Sequence, residues 1–207
     1  MEAWNAKSRC CAVILAGGRN TRMLGRNKAF LTIDGRTLLE RLLETLSAIF
    51  KEIVLVTREP ELYAHYPLQV VEDIFEARSS LTGIHAGLKF GAADYCFVVP
   101  CDAPLLKPEL VHLLLSEIEP AVDAVIPFIG GYYEPLCAIY SKRCIAPIEA
   151  QLERGDFQII RIFGSLNVKK VEEEKIKRVD PQLHSFLNIN TPEAFESLKA
   201  LIRPSKI

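Results

Sequence analysis

The sequence predicts an α/β fold built on a doubly wound, mostly parallel sheet. Short apolar runs bounded by glycine, proline or polar residues are typical of buried strands. Segments with apolar side chains three and four positions apart, which are typical of helices, lie between those runs. This alternation is the order that a parallel sheet with crossover helices requires. In the first half of the chain the predicted strands are 12–16, 53–56, 68–71 and 95–99, and the predicted helices are 37–50, 61–65, 81–92 and 108–117.

The second half of the chain is less regular. Gly130 and Gly131 indicate a turn, and the charge run 172–175 is predicted to be solvated surface. Thr191 followed by Pro192 is typical of a helix start, because threonine caps a first turn and proline fits its first position. The predicted strands here are 123–128, 135–140 and 166–171, and the predicted helices are 141–153, 157–163 and the segment after Thr191.

Length and composition limit the class of protein. The 207 residues suit one domain, and no linker, repeat or low-complexity segment divides them, so a single domain over 1–207 is expected. The net charge of −1 gives no electrostatic argument for nucleic acid or an anionic membrane. No apolar run reaches transmembrane length, and the polar start of the chain shows no signal peptide. The cytosol is therefore the expected compartment.

The cysteines and histidines show no metal-binding or nucleophile pattern. None of the six cysteines forms C-x-x-C, and several lie inside apolar runs, so buried, reduced thiols are expected. Cys101 is predicted to pack rather than to act as a nucleophile, because no histidine neighbours it in sequence. The four histidines lack ligand spacing and are predicted to be structural. The cysteines stand at positions 10, 11, 96, 101, 137 and 144, and the histidines at 65, 85, 112 and 184.

A glycine-rich cationic loop follows the first predicted strand. Gly17 and Gly18 allow close approach of the backbone to an anion, and the apolar residues after Lys28 would fix that lysine near the loop. The spacing matches neither G-x-x-x-x-G-K-[ST] nor G-x-G-x-x-G. A phosphate site is one interpretation and a basic surface turn is the other. The cations of the loop are Arg19, Arg22, Arg26 and Lys28.

Two carboxylates follow other predicted strands. Asp73 comes after the third strand and Asp102 after the fourth, between two prolines. Ligands of such sheets bind outside the carboxyl ends of the strands. The glycine loop and both carboxylates are therefore expected on one edge. A turn or capping role is the alternative for each aspartate.

These residues also carry a resemblance to a known family. Leu15-Ala16-Gly17-Gly18, then Arg22-Met23, then Lys28 ten residues after Gly18, resembles the signature of molybdenum cofactor guanylyltransferases. These enzymes belong to the nucleotidyltransferases with a Rossmann-like fold. The resemblance extends from about residue 12 to residue 201. Leu24 departs from the family, which often has glycine there.

The resemblance implies a Mg²⁺-dependent transfer of GMP from GTP to the terminal phosphate of molybdopterin, with or without its molybdenum. Asp102 would hold the metal, and Lys28 with Arg22 would stabilise phosphate charge. Transient contact with other cofactor-assembly proteins is compatible with this role. The implied catalytic residues are Lys28, Arg22 and Asp102, and the implied nucleotide-binding residues are Leu15, Ala16, Gly17, Gly18, Lys28, Asp73, Leu81, Gly83 and Asp102.

Two further segments match the family in part. Residues 79–83 correspond to a Gly-Pro-Leu-Ala-Gly segment that helps to recognise guanine, but only Leu81 and Gly83 match. Asn188 and Asn190 match an Asn-x-Asn-Thr-Pro segment at the pterin end of the site. An asparagine that the family has after the second strand is missing near position 57.

Other functions stay open at this point. The nearest is a cytidylyltransferase for the same pterin, or a nucleotidyltransferase for a sugar or polyol phosphate. A GTP-binding partner without catalytic activity is a second alternative. The joint presence of Gly17, Gly18, Lys28 and Asp102 argues against it, because a decayed site would be free to lose them. The first loop, with Leu81 and Gly83, matches the guanine-using pattern of the family, so GTP is expected to be preferred to CTP.

Overall fold

The computed structural model describes residues 9–17, 22–23, 26–189 and 191–202. Within these ranges the strands are β1 (Cys10–Leu15), β2 (Arg22–Met23), β3 (Arg26–Asn27), β4 (Thr32–Ile33), β5 (Arg36–Thr37), β6 (Ile53–Val56), β7 (Gln69–Val71), β8 (Tyr95–Pro100), β9 (Ala124–Ile129), β10 (Tyr132–Tyr133), β11 (Ala138–Ser141) and β12 (Val168–Glu172). The α-helices are α1 (Leu38–Ser47), α2 (Ser80–Phe90), α3 (Pro108–Ser116), α4 (Ile145–Glu153), α5 (Glu173–Lys177) and α6 (Pro192–Ile202).

The described residues form an eight-stranded sheet with β1 near its centre. Its order is β10-β9-β11-β8-β1-β6-β7, and β12 pairs with β9. β1 is parallel to both neighbours, β6 and β8, and β7 is parallel to β6. β11 runs antiparallel to β8 and β9, whereas β12 is parallel to β9. The predicted α/β class with a mostly parallel sheet is confirmed.

Burial explains why β1 is central. Cys11, Ala12, Val13 and Ile14 have no exposed surface, and alternate residues of the strand enter the two apolar clusters on either face of the sheet. A strand covered on both faces has to be apolar throughout, which is the pattern of this run. Helix α2 covers one face, and a Cβ built on Gly87 would lie only 2.4 Å from Val13 Cγ1.

Most predicted elements are present, with differences at their ends. α1 stops at Ser47, although the predicted helix ran to residue 50. Ile49 and Phe50 still enter the core, because their main-chain N–H groups both donate to Leu46 O and turn the chain inward. Thr37 and Glu40 form a capping box at its start.

Three other predicted segments have a different form. The strand predicted at 135–140 begins only at Ala138, because Cys137 N–H donates to Glu134 O in a turn. The helix predicted at 157–163 is a 3₁₀ helix, Ile159–Ser165, and the one predicted at 61–65 is a 3₁₀ helix, Pro60–Tyr63. A short 3₁₀ helix also precedes α4, and part of the charge run 172–175 lies in α5.

The predicted thiols and the last helix start are confirmed. All six cysteines are free and buried. Thr191 Oγ1 accepts the N–H of Ala194 at 3.2 Å, as an N-cap does. Gly130 and Gly131 both have positive φ, as the predicted turn requires. Across the described parts of the chain, no helix is both long and apolar enough to cross a membrane.

Candidate functional site

Lys28 and Asp102, from distant parts of the chain, form an ion pair. Lys28 Nζ lies 3.2 Å from Asp102 Oδ2, and the two side chains are only 4% and 14% exposed. A lysine that is almost fully buried is rare unless it is paired. Both residues were predicted from separate motifs, and the structure brings them together.

The start of Lys28 is fixed by its neighbours. Asn27 Oδ1 accepts the N–H of Ala29 and so caps the 3₁₀ turn Lys28–Phe30. Asn27 Nδ2 also donates to the hydroxyl of Tyr63 at 3.0 Å. Ala29 has no exposed surface. The predicted packing of the segment after Lys28 is therefore confirmed.

The ends of four parallel strands lie side by side at this edge of the sheet. Cys101 N–H donates to Leu15 O at 3.0 Å, which joins the ends of β1 and β8. Ala16 N–H donates to Val56 O and Thr57 N–H to Val71 O, so β6 and β7 end at the same level. The half-buried Gly17 follows β1 directly, and a Cβ built on it would lie 3.6 Å from Thr57 Cα.

Asp73 is a buried carboxylate beside the end of β7. Its side chain is 7% exposed, and Oδ2 pairs with Arg58 Nε at 3.0 Å. Oδ1 is buried and has no hydrogen-bond partner in the described parts of the chain. Burial raises the pKa of Asp73, and Arg58 partly opposes that shift. A buried polar atom left unsatisfied costs about 1–3 kcal/mol, so Oδ1 is available to a hydrogen-bond donor of a ligand.

Gly83, Leu15 and Asp73 meet at the first turns of α2. A Cβ built on Gly83 would lie 3.0 Å from Leu15 Cδ2 and 3.9 Å from Asp73 Oδ1. Leu81 has no exposed surface and packs in the core, so it holds the helix in place. Ser79 and Thr82 cap this helix reciprocally.

Asn188 belongs to a segment that packs near the Lys28–Asp102 pair. It is exposed, and the next residue, Ile189, is buried. Ile189 shares an apolar cluster with Leu31, which follows the Lys28 turn, and with Leu105, which follows Asp102. The segment that carries Asn188 is thereby attached to both segments of the ion pair.

Some predicted site residues cannot be placed. Gly18 and Asn190 lie outside the described residues, as do Arg19 and Leu24 of the cationic loop. The main chain of Arg22 pairs with that of Asn27, but its side chain is also outside the described part.

Two residues at this edge were missed by sequence reasoning. Among the ion pairs of the described residues, the carboxylate of Asp73 pairs only with Arg58. Arg58 comes two residues after the end of β6, and its partners are a distant aspartate and main-chain oxygens, so no local sequence pattern marked it. Glu134 is half-buried near the start of β11, and burial raises the pKa of its carboxyl.

The histidines were predicted to be structural, and the buried one, His85, makes a contact between two helices. His85 Nε2 lies 2.9 Å from Glu149 Oε1 and joins α2 to α4. Among the described residues, no group of three or more His, Cys, Asp or Glu side chains is arranged to hold a metal ion. A metal at this edge would therefore need ligands from a bound substrate in addition to protein.

This edge combines adjacent ends of parallel strands, Gly17 directly after β1 and a buried lysine–aspartate pair, an arrangement that suits a nucleotidyltransferase. The sequence profile of the MobA-like NTP transferase domain matches residues 12–170. The chain belongs to the MobA-like NTP transferase family.

Individual relatives agree with this membership. The chain is 39% identical to the molybdenum cofactor guanylyltransferase of Desulfosudis oleivorans over 94% of this chain and 96% of that protein. It is 38% identical to a probable molybdenum cofactor guanylyltransferase of Natranaerobius thermophilus, over 91% and 94% of the two chains. Molybdopterin-guanine dinucleotide biosynthesis protein A from Archaeoglobus fulgidus has a similar crystal structure, with a TM-score of 0.81, 33% identity, and coverage of 92% of this chain and 97% of that one.

Proposed function

We propose that this chain transfers GMP from GTP to the terminal phosphate of molybdopterin, with or without its molybdenum. The products are pyrophosphate and a guanine dinucleotide cofactor. The names of its relatives support this substrate pair, and their similarity spans almost the whole chain. The observation that carries the proposal is the buried Lys28–Asp102 pair at the edge where β1 and β8 end.

The chemistry requires placement and charge rather than a nucleophile from the protein. An oxygen of the acceptor phosphate attacks the α-phosphorus of GTP and forms a new P–O bond. The bond from that phosphorus to the bridging oxygen breaks, and its electron pair leaves with pyrophosphate. Preorganised charge at the phosphates is the main source of acceleration in such reactions.

Lys28 supplies such charge. Its ammonium is held beside Asp102 at 3.2 Å and is almost fully desolvated. A cation fixed in a site of low dielectric acts on phosphate charge more strongly than one in water, and it does not have to reorganise during the reaction.

Asp102 fits the role of a magnesium ligand. Lys28 contacts Oδ2, which leaves Oδ1 able to accept a hard cation. Mg²⁺ usually binds one or two carboxylates together with phosphate oxygens and waters, so a single aspartate is a suitable donor. Magnesium, when bound, would neutralise charge on the nucleotide phosphates.

The two substrates would occupy opposite sides of that pair within one domain. Gly17, Asp73 and Gly83 lie towards β6 and β7 and would receive the nucleotide, together with Leu15, Ala16 and Gly18. Asn188 precedes Ile189, which packs with Leu31 and Leu105 beside the ion pair, and with Asn190 it would contact the pterin. The N-terminal half of the chain would thus bind the nucleotide and the C-terminal half the pterin.

The test is the initial rate of pyrophosphate release with molybdopterin and Mg²⁺, measured with GTP and CTP in turn. We expect the higher rate with GTP, and loss of that rate when Mg²⁺ is removed. An equal or higher rate with CTP would contradict the guanine assignment and support the cytidylyltransferase alternative. Pyrophosphate release at the same rate without molybdopterin would contradict the proposal that molybdopterin is the acceptor.

A further inference from the structure

One arginine joins three parts of the nucleotide side of the edge. Arg58 Nε donates to Asp73 Oδ2 at 3.0 Å. Its Nη2 lies 2.9, 2.9 and 2.8 Å from the main-chain oxygens of Phe75, Glu76 and Ala77. Arg58 itself comes two residues after the end of β6, and the main chain at Thr57 and Arg58 borders Gly17.

The segment that Arg58 contacts also has other support: the Thr82 hydroxyl donates to Ala77 O at 3.3 Å, and the Phe75 ring packs edge-on against His85. Residues 74–78 make no hydrogen bond from main chain to main chain within the parts of the chain that the structure describes. Ile74 is 51% exposed, so apolar burial does not anchor its side chain. The segment ends at Ser79, the N-cap of α2. By binding three successive main-chain oxygens, Arg58 helps to fix the path of this segment and, with Thr82, the position of the helix start that carries Gly83.

The side-chain chemistry suits arginine and not lysine. A guanidinium presents five N–H donors in a planar fork, and here it serves one carboxylate and a row of three carbonyls. A lysine ammonium could keep the positive charge near Asp73, but it could not span these acceptors. Asp73 in turn needs a cation, because its carboxylate is 7% exposed and an unpaired buried charge is unstable.

We propose that Arg58 is a positioning residue for the nucleotide: it holds Asp73 and residues 75–77 in the conformation that receives GTP. It acts on nucleotide binding and not on the reacting phosphates, which the Lys28–Asp102 pair serves. This inference rests on the proposed function for the identity of the nucleotide.

Arg58→Lys tests the proposal, with Arg143→Lys as the matched control. Arg143 also bonds a carboxylate and a main-chain oxygen, with Nε 2.6 Å from Asp123 Oδ1 and Nη2 2.6 Å from Val122 O. Arg143 lies two residues after the end of β11 and contacts the two residues before β9, at the edge of the sheet opposite to the Lys28–Asp102 pair. Both variants keep their positive charge. A loss of stability that both variants show can therefore be distinguished from an effect on nucleotide binding that only Arg58→Lys shows.

The measurements are the dissociation constant of GTP by calorimetry and steady-state kinetics well below the melting temperature. For Arg58→Lys we expect the dissociation constant and the KM for GTP to rise about ten- to hundredfold, the equivalent of losing one to two hydrogen bonds to a charged group. We expect kcat and the KM for molybdopterin to change less than threefold. Arg143→Lys should leave all four constants unchanged.

Hydrogen exchange adds a direct readout of the segment. The amides of Ser79, Thr82 and Gly83, which are hydrogen-bonded at the start of α2, should exchange faster in Arg58→Lys than in the wild type, and saturating GTP should restore part of their protection. An unchanged GTP dissociation constant would overturn the proposal, and so would a loss confined to kcat. If the wild type bound GTP but did not transfer GMP, the proposed function would be wrong. The effect of Arg58→Lys on the GTP dissociation constant would still test the role of Arg58.

Discussion

Removing both members of the Lys28–Asp102 pair should cost only slightly more stability than removing one of them, well short of the sum of the two losses, and it should not restore activity. The variants are Lys28→Met, Asp102→Asn and the double variant. Met keeps the length of the lysine side chain and Asn keeps the size of the aspartate, so each single change removes a charge with little change in volume. Each single variant leaves the other charge in a site where the side chains are 4% and 14% exposed.

The size of the effect follows from this geometry. At 3.2 Å, an effective dielectric constant near 20 gives an attraction of about 5 kcal/mol, most of which offsets desolvation of the two charges. Breaking a buried pair from one side costs roughly 3–5 kcal/mol, and the remaining exposure of Asp102 places this pair near the lower value. We therefore expect each single variant to lose about 3 kcal/mol of unfolding free energy. The double variant should be about 2–3 kcal/mol more stable than the sum of the single losses.

Activity should follow a different pattern. Loss of one preorganised group at developing charge typically lowers kcat about 10²–10³-fold, and we expect that loss in both single variants and in the double variant. The assays are urea unfolding followed by fluorescence, and pyrophosphate release at saturating GTP and molybdopterin. Lys89→Met is the control, because Lys89 Nζ also lies 3.2 Å from a carboxylate, that of Glu149, but its side chain is 49% exposed.

The control should change the unfolding free energy by about 1 kcal/mol or less, as exposed ion pairs do, and it should keep wild-type kcat. Strictly additive losses for the Lys28 and Asp102 variants would refute the buried pair. A double variant with wild-type kcat would refute its role in the reaction.

Two further predictions concern stability away from the ion pair. Gly87→Ala should lose about 2 kcal/mol or more of unfolding free energy, because a Cβ there would meet Val13 Cγ1 at 2.4 Å and overpacked cores lose roughly 1–3 kcal/mol; Gly164→Ala, where nothing lies within 4 Å of the new Cβ, should be near neutral by the same urea assay. Glu134→Gln should raise the melting temperature at pH 7 but not at pH 4. Burial raises the pKa of this carboxyl in the folded state, so the wild type loses stability as the pH rises from the unfolded-state pKa through the folded one, and Gln has no such loss. Equal melting-temperature differences at the two pH values would contradict this account.

The sequence was informative about the fold because burial and periodicity coincide in it. β1, β6 and β8 are buried on both faces and read as continuous apolar runs. The register that joins them could not be derived, because it depends on pairing between residues more than forty positions apart, such as Leu15 with Val56. The late start of β11 was missed because the turn after Glu134 is stabilised by main-chain bonds that leave no signal in residue type.

The site was predicted in parts rather than as an arrangement. Lys28 and Asp102 were identified from their own motifs, and their pairing is a property of the folded edge. Arg58 was missed because its partners lie 15 to 19 positions further along the chain, and three of them are main-chain oxygens. Such contacts carry no residue signature, so no local pattern could have marked them.

The most direct test of the central claim is the fate of isotopic label from GTP. The purified protein is incubated with molybdopterin, Mg²⁺ and GTP labelled at either the α- or the γ-phosphate, and the products are separated. The account predicts that the α-label appears in a product that contains the pterin, and that the γ-label appears in pyrophosphate in equal amount. Transfer of the γ-label to the pterin, or release of the α-label as free GMP without a pterin product, would contradict it.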